Sequence, residues 1–219
     1  PPTAPQLLSH RECWFGDERG WAPVGSRPNL GLAGPRLYLV WGLEMSTLLI
    51  NPTASIETAG GRFKGLLTAM PPIGLALLAA RLRQHGREVA VYDAFIGRNG
   101  PEGVAAEARR RRPQVIGLPV VTPCAKEVFV QAAAARAASP DSVIVMGNIH
   151  ADLFAEDILK QGLADIVVHG EAEDTVVDID RAIAGKTDLS AVRGISFRRG
   201  DQIVRTPERP QIEDLDSLP

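Results

Sequence analysis

Short apolar segments alternate with helix-forming segments through most of this chain, and this alternation constrains its fold more than any other feature. Each apolar segment is long enough for a buried strand, and the segments between them carry apolar residues at helical spacing. The predicted strands are Thr47–Asn51, Glu88–Tyr92, Val115–Val121, Ser142–Met146 and Asp165–Val168. The pattern predicts an α/β fold, a doubly wound five-stranded parallel sheet of flavodoxin-like or Rossmann-like order 2-1-3-4-5.

The helices between these strands have recognisable beginnings and ends. Pro72 suits the first position of a helix, and Gly86, Gly162 and Gly185 suit helix ends. The predicted helices begin at Pro71-Pro72 and then cover Pro101–Arg112, Ala125–Ala138, Phe154–Gln161 and Asp174–Ala184.

The two ends of the chain differ from its alternating part. Residues 1–44 are rich in Pro and Gly, and Met45 directly precedes the first strand, so we expect a disordered or non-native leader there. A small cap over the sheet edge is the alternative. Residues 45–190 form the expected α/β domain. Residues 191–219 predict a hairpin around Arg199-Gly200-Asp201 and then a stiff, proline-containing linker.

The composition argues against a nucleic-acid or membrane partner. The net charge is −2, and the one dense basic run, Arg109–Arg112, closes a predicted helix, where cations are favoured and no aromatic residue is interleaved. No apolar run approaches the roughly 18 residues that a membrane helix needs. The two cysteines, Cys13 and Cys124, form neither a disulfide framework nor a cluster motif, which predicts a cytoplasmic protein.

Four predicted strands run directly into polar or loop-forming clusters. In an open parallel sheet, ligands bind beyond the carboxyl ends of the strands. The clusters therefore predict a ligand site at one edge of the sheet, built from Asn51-Pro52, Thr122-Pro123, Gly147-Asn148-Ile149-His150 and His169-Gly170-Glu171.

Several common occupants of such an edge lack their sequence marks here. There is no G-x-G-x-x-G after the first strand and no Walker loop, and the strand ends carry no carboxylate cluster for a divalent metal. An FMN site is not marked either. The remaining interpretation is a large ligand that needs room, because Gly147 and Gly170 permit a close backbone approach and Thr122 offers a hydroxyl group.

The order of several motifs resembles one known family. These motifs include Leu48–Pro52, Pro71–Leu75, Leu82–Gly86, Gly147–Ala151, His169–Glu173 and Asp214–Pro219. They resemble the cobalamin-binding domain that precedes the catalytic barrel in many radical S-adenosylmethionine enzymes. The resemblance covers residues 45–219.

The resemblance implies a corrinoid across the carboxyl edge of the sheet, with its nucleotide tail near Thr122 and Gly147. It implies no protein–cobalt bond, because the D-x-H-x-x-G motif is absent. Asn148 stands where the family has a second Gly, and its side chain would crowd the tail. The expected cofactor-binding residues are Asn51, Pro52, Thr53, Ile73, Gly74, Asp93, Val121, Thr122, Pro123, Gly147, Asn148, Ile149, His150, His169, Gly170 and Glu171.

Some of these residues also have a structural interpretation. We expect His150 to face the ligand, with Asp152 as the better cap of the following helix. Glu171 has two expected roles, lining the crevice and stabilising the start of the last helix. Asp93 either contacts the ligand or partner, or closes a strand-end turn. Cys124 is expected to be a small buried residue.

No catalytic constellation is visible in the sequence. The chain lacks the C-x-x-x-C-x-x-C motif that holds an iron–sulfur cluster in the radical enzymes. The resemblance therefore implies a cobalamin-binding module, with S-adenosylmethionine and a 4Fe-4S cluster in a covalently continuous barrel after Pro219, and methyl transfer to a substrate radical. Two alternatives remain open: a degenerate scaffold domain without cobalamin, and the nucleotide-binding half of an unrelated enzyme.

Overall fold

The computed structural model describes residues 46–53, 71–97 and 99–219. The expected leader, residues 1–44, lies outside these residues, as does the Gly-rich segment Gly60-Gly61, which predicts a loop after the first strand. The strands are β1 (Thr47–Asn51), β2 (Val89–Asp93), β3 (Val115–Pro119), β4 (Val143–Gly147), β5 (Ile166–Val168), β6 (Ile195–Arg199) and β7 (Gln202–Arg205). The α-helices are α1 (Ile73–Gln84), α2 (Ala94–Gly97), α3 (Gly100–Arg111), α4 (Ala125–Ala138), α5 (Ile149–Leu153), α6 (Ala155–Lys160) and α7 (Glu173–Gly185).

The strands form one sheet of order β2-β1-β3-β4-β5-β6-β7. The first five strands are parallel and have the predicted order 2-1-3-4-5, which confirms the doubly wound α/β fold. The predicted hairpin also forms, but β6 pairs antiparallel with β5 and extends the sheet to seven strands. The expected five-stranded sheet is corrected in this respect.

Alternate residues of the central strands point to opposite faces of the sheet and build separate cores. Even-numbered residues such as Leu48, Ile116 and Ile144 pack under the helices α3, α4 and α6. Odd-numbered residues such as Leu49 and Val145 face α1, α7 and the hairpin. Helices thus cover both faces, as near-continuous apolar strands require.

The region after β4 differs from the sequence prediction. The helix expected over Phe154–Gln161 forms as α6, but a first short helix, α5, precedes it, and the two meet at Phe154. The first begins earlier because the Asn148 side chain accepts a hydrogen bond from the backbone N–H of Ile149 at 2.6 Å. Asn148, rather than Asp152, is therefore the capping residue.

A buried polar contact ties three elements together at the amino edge of the sheet. Asp180 of α7 is fully buried and forms an ion pair with Arg87, which lies between α1 and β2. The Thr47 hydroxyl donates a hydrogen bond of 2.7 Å to the other carboxylate oxygen of Asp180. This contact fixes α7 against β1 at the end opposite the predicted ligand edge.

Across the described parts of the chain, every helix is too short or too polar to cross a bilayer.

Candidate functional site

A cavity of about 600 Å³ opens between the sheet and the helices α1 and α7. Its size lies within the range of roughly 300–1,000 Å³ that is typical of ligand pockets. Its floor is the odd-numbered face of β1, β3 and β4 together with Val168 of β5, and its walls are the first turns of α1 and α7. The mouth includes the loop at Asn148 and Ile149. The cavity thus reaches from the carboxyl edge down one face of the sheet.

Two glycines lie in this floor. Gly117 and Gly147 lie on the cavity face of β3 and β4, paired in register with Val145 and Pro119. A Cβ atom at position 117 would lie 2.8 Å from Leu49 Cδ2, so only glycine fits there without movement of Leu49. A Cβ atom at position 147 would meet Val168 Cβ at 3.6 Å, an ordinary contact. Any larger side chain at position 147 would extend over the cavity floor.

The lining of the cavity is mostly apolar, with a few polar groups. Among the described residues that line it, none is Lys or Arg. The polar side chains are Asn51, Asn148, Asp152, Glu171 and Glu173. Such a wall offers hydrogen-bond acceptors and burial, but no cation for a multiply charged phosphate group. It therefore suits an uncharged or weakly charged organic group that carries hydrogen-bond donors.

The structure brings about half of the predicted site residues to the cavity. Those in its lining are Asn51, Gly74, Gly147, Asn148, Ile149, Gly170 and Glu171. Those outside the lining are Pro52, Thr53, Ile73, Asp93, Val121, Thr122, Pro123, His150 and His169. Among the second group, Ile73 and Val121 are exposed and border the carboxyl edge.

His150 lies in the core, which corrects the expectation that it faces the ligand. Its side chain is fully buried and packs near the rings of Phe129 and Phe154, with centroids 6.0 and 4.6 Å away. Its Nδ1 atom lies 3.3 Å from the Thr122 hydroxyl. Burial lowers the pKa of His150, which favours the neutral ring. His150 thus holds α5 on the sheet beneath the cavity mouth.

His169 joins the cavity wall to the hairpin. Its Nδ1 atom lies 2.5 Å from the carboxylate of Asp152, and its Nε2 atom lies 2.7 Å from the Ser196 hydroxyl. Because a carboxylate only accepts, Nδ1 carries a proton, and in the neutral ring Nε2 accepts from Ser196. His169 is buried, whereas Asp152 lines the cavity. The histidine therefore orients Asp152 rather than lining the cavity itself.

Asp93 and Thr53 close the edge of the sheet beside β1. The Asn51 amide donates to Asp93 at 3.0 Å, and the same Asp93 oxygen accepts the N–H of Ile96 at 3.1 Å. The backbone N–H of Thr53 donates to the Gln131 side chain. Asp93 therefore caps α2 and orients Asn51, which itself lines the cavity.

Glu171 connects the cavity to the C-terminal segment. It lines the cavity, and its carboxylate accepts the backbone N–H of Ile212 at 2.7 Å. Close by, the Gly194 N–H donates to the Pro207 carbonyl and Arg209 pairs with Asp178. The segment after β7 is thus bound along the α7 side of the domain, and Glu171 lines the cavity while its carboxylate binds this segment. Its expected role at the start of the last helix stays a prediction.

Asn148 has an unusual backbone conformation. Its φ of 78° and ψ of 171° lie in a region that is almost restricted to glycine. A non-glycine residue there costs about 1–3 kcal/mol. The strain gives a physical reason for a glycine in the corresponding family motif, independent of any crowding of a ligand.

We expect Asn148→Gly to stabilise the chain by about 1 kcal/mol, because relief of strain exceeds the added entropy of the unfolded chain. Urea unfolding measures the change. The matched control is Gly147→Ala, one residue earlier, which removes no positive φ and should leave the free energy of unfolding nearly unchanged. Equal or lower stability of Asn148→Gly would show that the Asn148 cap outweighs the strain.

Large apolar side chains are exposed around the carboxyl edge. Ile73 and Ile96 lie at the beginnings or ends of helices on one side, and Ile149 and Leu153 lie on α5. Ile149 belongs to the cavity mouth. Exposed apolar residues that border a cavity are typical of a ligand or partner surface.

Sequence reasoning missed the interior of the cavity. The missed lining residues are Leu49, Pro72, Leu75, Leu78, Val115, Gly117, Leu118, Pro119, Val145, Asp152, Val168, Ala172, Glu173 and Val176. One signal was available, because Gly117 lies inside a predicted strand, where glycine often marks a close approach of another group. The apolar residues carried no signal that separates them from core.

Cys124 lies outside the cavity lining. Cys124 is partly buried and packs against the core, and burial raises the pKa of its thiol. Within the described ranges, no group of three or more His, Cys, Asp and Glu side chains is arranged for a metal ion.

Comparison with known proteins gives a family match. Residues 66–180 match the model of the B12 binding domain. The anaerobic magnesium-protoporphyrin IX monomethyl ester cyclase of Synechocystis is 33% identical over 182 residues, which cover 78% of this chain and 34% of that enzyme. The chain therefore spans about a third of the length of this curated relative.

Two solved structures share the fold. The radical S-adenosylmethionine methyltransferase TsrM of Kitasatospora setae, with cobalamin and a [4Fe-4S] cluster bound, has a TM-score of 0.64 at 19% identity, covering 81% of this chain and 31% of TsrM. The cobalamin-dependent S-adenosylmethionine radical enzyme OxsB, with aqua-cobalamin bound, has a TM-score of 0.64 at 18% identity, covering 77% of this chain and 23% of OxsB.

Proposed function

Because this chain belongs to the B12-binding domain family, we propose that it binds a corrinoid across the carboxyl edge of its sheet. The nucleotide tail of the corrinoid would enter the cavity between α1 and α7. The observation that carries this proposal is the cavity of about 600 Å³ above Gly147, which leaves room for part of a ligand between sheet and helices.

The chemistry of the cavity fits such a ligand. Its apolar wall suits an aromatic base, and its side-chain acceptors suit amide and hydroxyl donors, which a corrinoid carries on its ring and tail. Asn51, oriented by Asp93, and Asp152, oriented by His169, are the fixed polar groups of the site. These side chains would position the ligand, while Leu75, Leu78 and Val176 would exclude water from its tail.

A nucleotide-binding half of an unrelated enzyme fits less well. The cavity lining contains no Lys or Arg among its described residues, and three of its polar groups are carboxylic acids. Such a wall repels the phosphate groups of a nucleoside triphosphate or a dinucleotide. The tail of a corrinoid carries a single phosphodiester with one negative charge, and it therefore needs fewer positively charged partners.

We place the domain within a longer enzyme. Residues 45–190, together with the hairpin β6–β7 that extends their sheet, would form the binding module. The segment after β7 would lead to a radical S-adenosylmethionine barrel that holds S-adenosylmethionine and a 4Fe-4S cluster. A bound corrinoid would supply a methyl group for transfer to a substrate radical. The backbone contact of Ile212 with Glu171 supports this arrangement, because it fixes the exit of the chain beside the cavity.

Thermal unfolding with three ligand classes tests the proposal. We expect hydroxocobalamin to raise the melting temperature of the chain, since saturation at 100 times Kd adds about 2.7 kcal/mol of stability. We expect ATP and FMN at the same concentration to leave it unchanged. A shift with ATP or FMN alone would favour a nucleotide-binding function, and no shift with any ligand would favour the scaffold function.

A further inference from the structure

Three carboxylic acids surround the first turn of α7, and they differ in their partners. Asp174 binds the guanidinium group of Arg81 at 2.7 Å, and Glu171 accepts the N–H of Ile212. Glu173 lines the cavity, yet its Oε2 atom is buried and has no hydrogen-bond partner within the described part of the chain.

A buried carboxylate oxygen without a hydrogen bond is costly, and native proteins rarely retain one without a reason. The positive end of α7 favours a negative charge at this position. The helix end favours Asp174 equally, however, and Asp174 has a cation partner besides. The helix therefore does not account for the unpartnered oxygen of Glu173. Within the described part of the chain no side chain or backbone group donates to this oxygen, and a ligand in the cavity could do so.

The charge of Glu173 and the shape of the cavity indicate which kind of hydrogen-bond donor would contact this carboxylate. A phosphate group near Glu173 would be repelled, whereas a hydroxyl group would be bound by a charge-assisted hydrogen bond. The cavity of about 600 Å³ is bounded by the first turn of α7, so a tail that enters it reaches Glu173 while the wide corrin ring stays at the mouth. The ribose of the nucleotide tail carries hydroxyl groups of this kind.

We propose that Glu173 is a specificity-determining residue, which accepts a hydrogen bond from a ribose hydroxyl of the nucleotide tail. The inference rests on the proposed corrinoid function. It adds that Glu173 distinguishes complete corrinoids from corrinoids that lack the nucleotide tail. Glu173 then contributes to binding of cobalamin and contributes nothing to binding of cobinamide, which has the corrin ring without the nucleotide.

The test compares two ligands by equilibrium dialysis of the full chain. For Glu173→Ala we expect the affinity for hydroxocobalamin to fall roughly 10- to 100-fold, the range for loss of a hydrogen bond to a charged group, with the affinity for cobinamide unchanged. Glu173→Gln keeps an acceptor oxygen and should recover much of the loss. The matched control is Asp174→Ala at the same helix end, which should leave the ratio of the two affinities unchanged.

An equal loss for both ligands, or no loss for either, would overturn the role of Glu173 and leave the proposed function standing. Failure of the unmodified chain to bind either ligand would overturn the proposed function itself, and the role of Glu173 with it. Circular dichroism of each variant establishes that the comparison is made between folded chains.

Discussion

Gly147→Leu is expected to weaken corrinoid binding roughly 100-fold or more while the domain stays folded. The first side-chain atom of residue 147 has space, because its Cβ would lie 3.6 Å from Val168 Cβ. The remaining atoms would extend over the cavity floor, where they would occupy the room that the tail needs. The measurement is equilibrium dialysis with hydroxocobalamin, together with the circular dichroism spectrum.

Two controls isolate the effect of the cavity. Gly147→Ala adds only the tolerated Cβ atom and should reduce binding little. Gly185→Leu places the same bulky side chain at the far end of α7, where its Cβ would contact Thr187 Cγ2 at 3.5 Å, and should leave binding unchanged. Full binding by a folded Gly147→Leu chain would exclude the cavity as the site of the tail.

Arg87→Met is expected to destabilise the chain by about 3 kcal/mol. Asp180 is fully buried, and loss of its cation partner leaves a buried carboxylate to which, among the described side chains, the Thr47 hydroxyl still donates. Breaking a buried pair in this way costs about 3–5 kcal/mol, and the partial exposure of Arg87 favours the lower value. Urea unfolding, followed by circular dichroism, measures the loss.

A second variant and a control make this prediction specific. Asp180→Asn in the Arg87→Met background removes the stranded charge and should recover part of the stability. Arg110→Met breaks an ion pair with Glu107 in which Arg110 is mostly exposed, and should change stability by less than about 0.5 kcal/mol. Equal effects of Arg87→Met and Arg110→Met would contradict the proposed importance of burial.

The sheet order was predictable because each strand is an uninterrupted apolar run and each connection is helical. The family resemblance, which rested on motif order, is confirmed by the B12 binding domain match. The addition of β6 to the edge of β5 was not predictable, since the alternation of a hairpin does not say which strand it joins. The leader and the cytoplasmic location stay predictions.

The candidate site was only partly predictable, for a physical reason. Strand-end clusters indicated the mouth of the cavity, at Asn51, Gly147 and Gly170, because the carboxyl ends of parallel strands must meet. The interior depends on which face of each strand turns towards α1 and α7, and residues such as Val145 and Leu75 have the same pattern as core residues. The prediction for His150 failed in the opposite direction, because this polar residue at a strand end lies in the core and not in the cavity lining.

The number of corrinoids that one chain retains tests the proposed cofactor site. The full chain is incubated with excess hydroxocobalamin, separated from free ligand by gel filtration, and measured by its visible spectrum against protein concentration. We expect close to one corrinoid per chain, and a loss of that corrinoid in Gly147→Leu. A folded chain that elutes without corrinoid would contradict the proposed site.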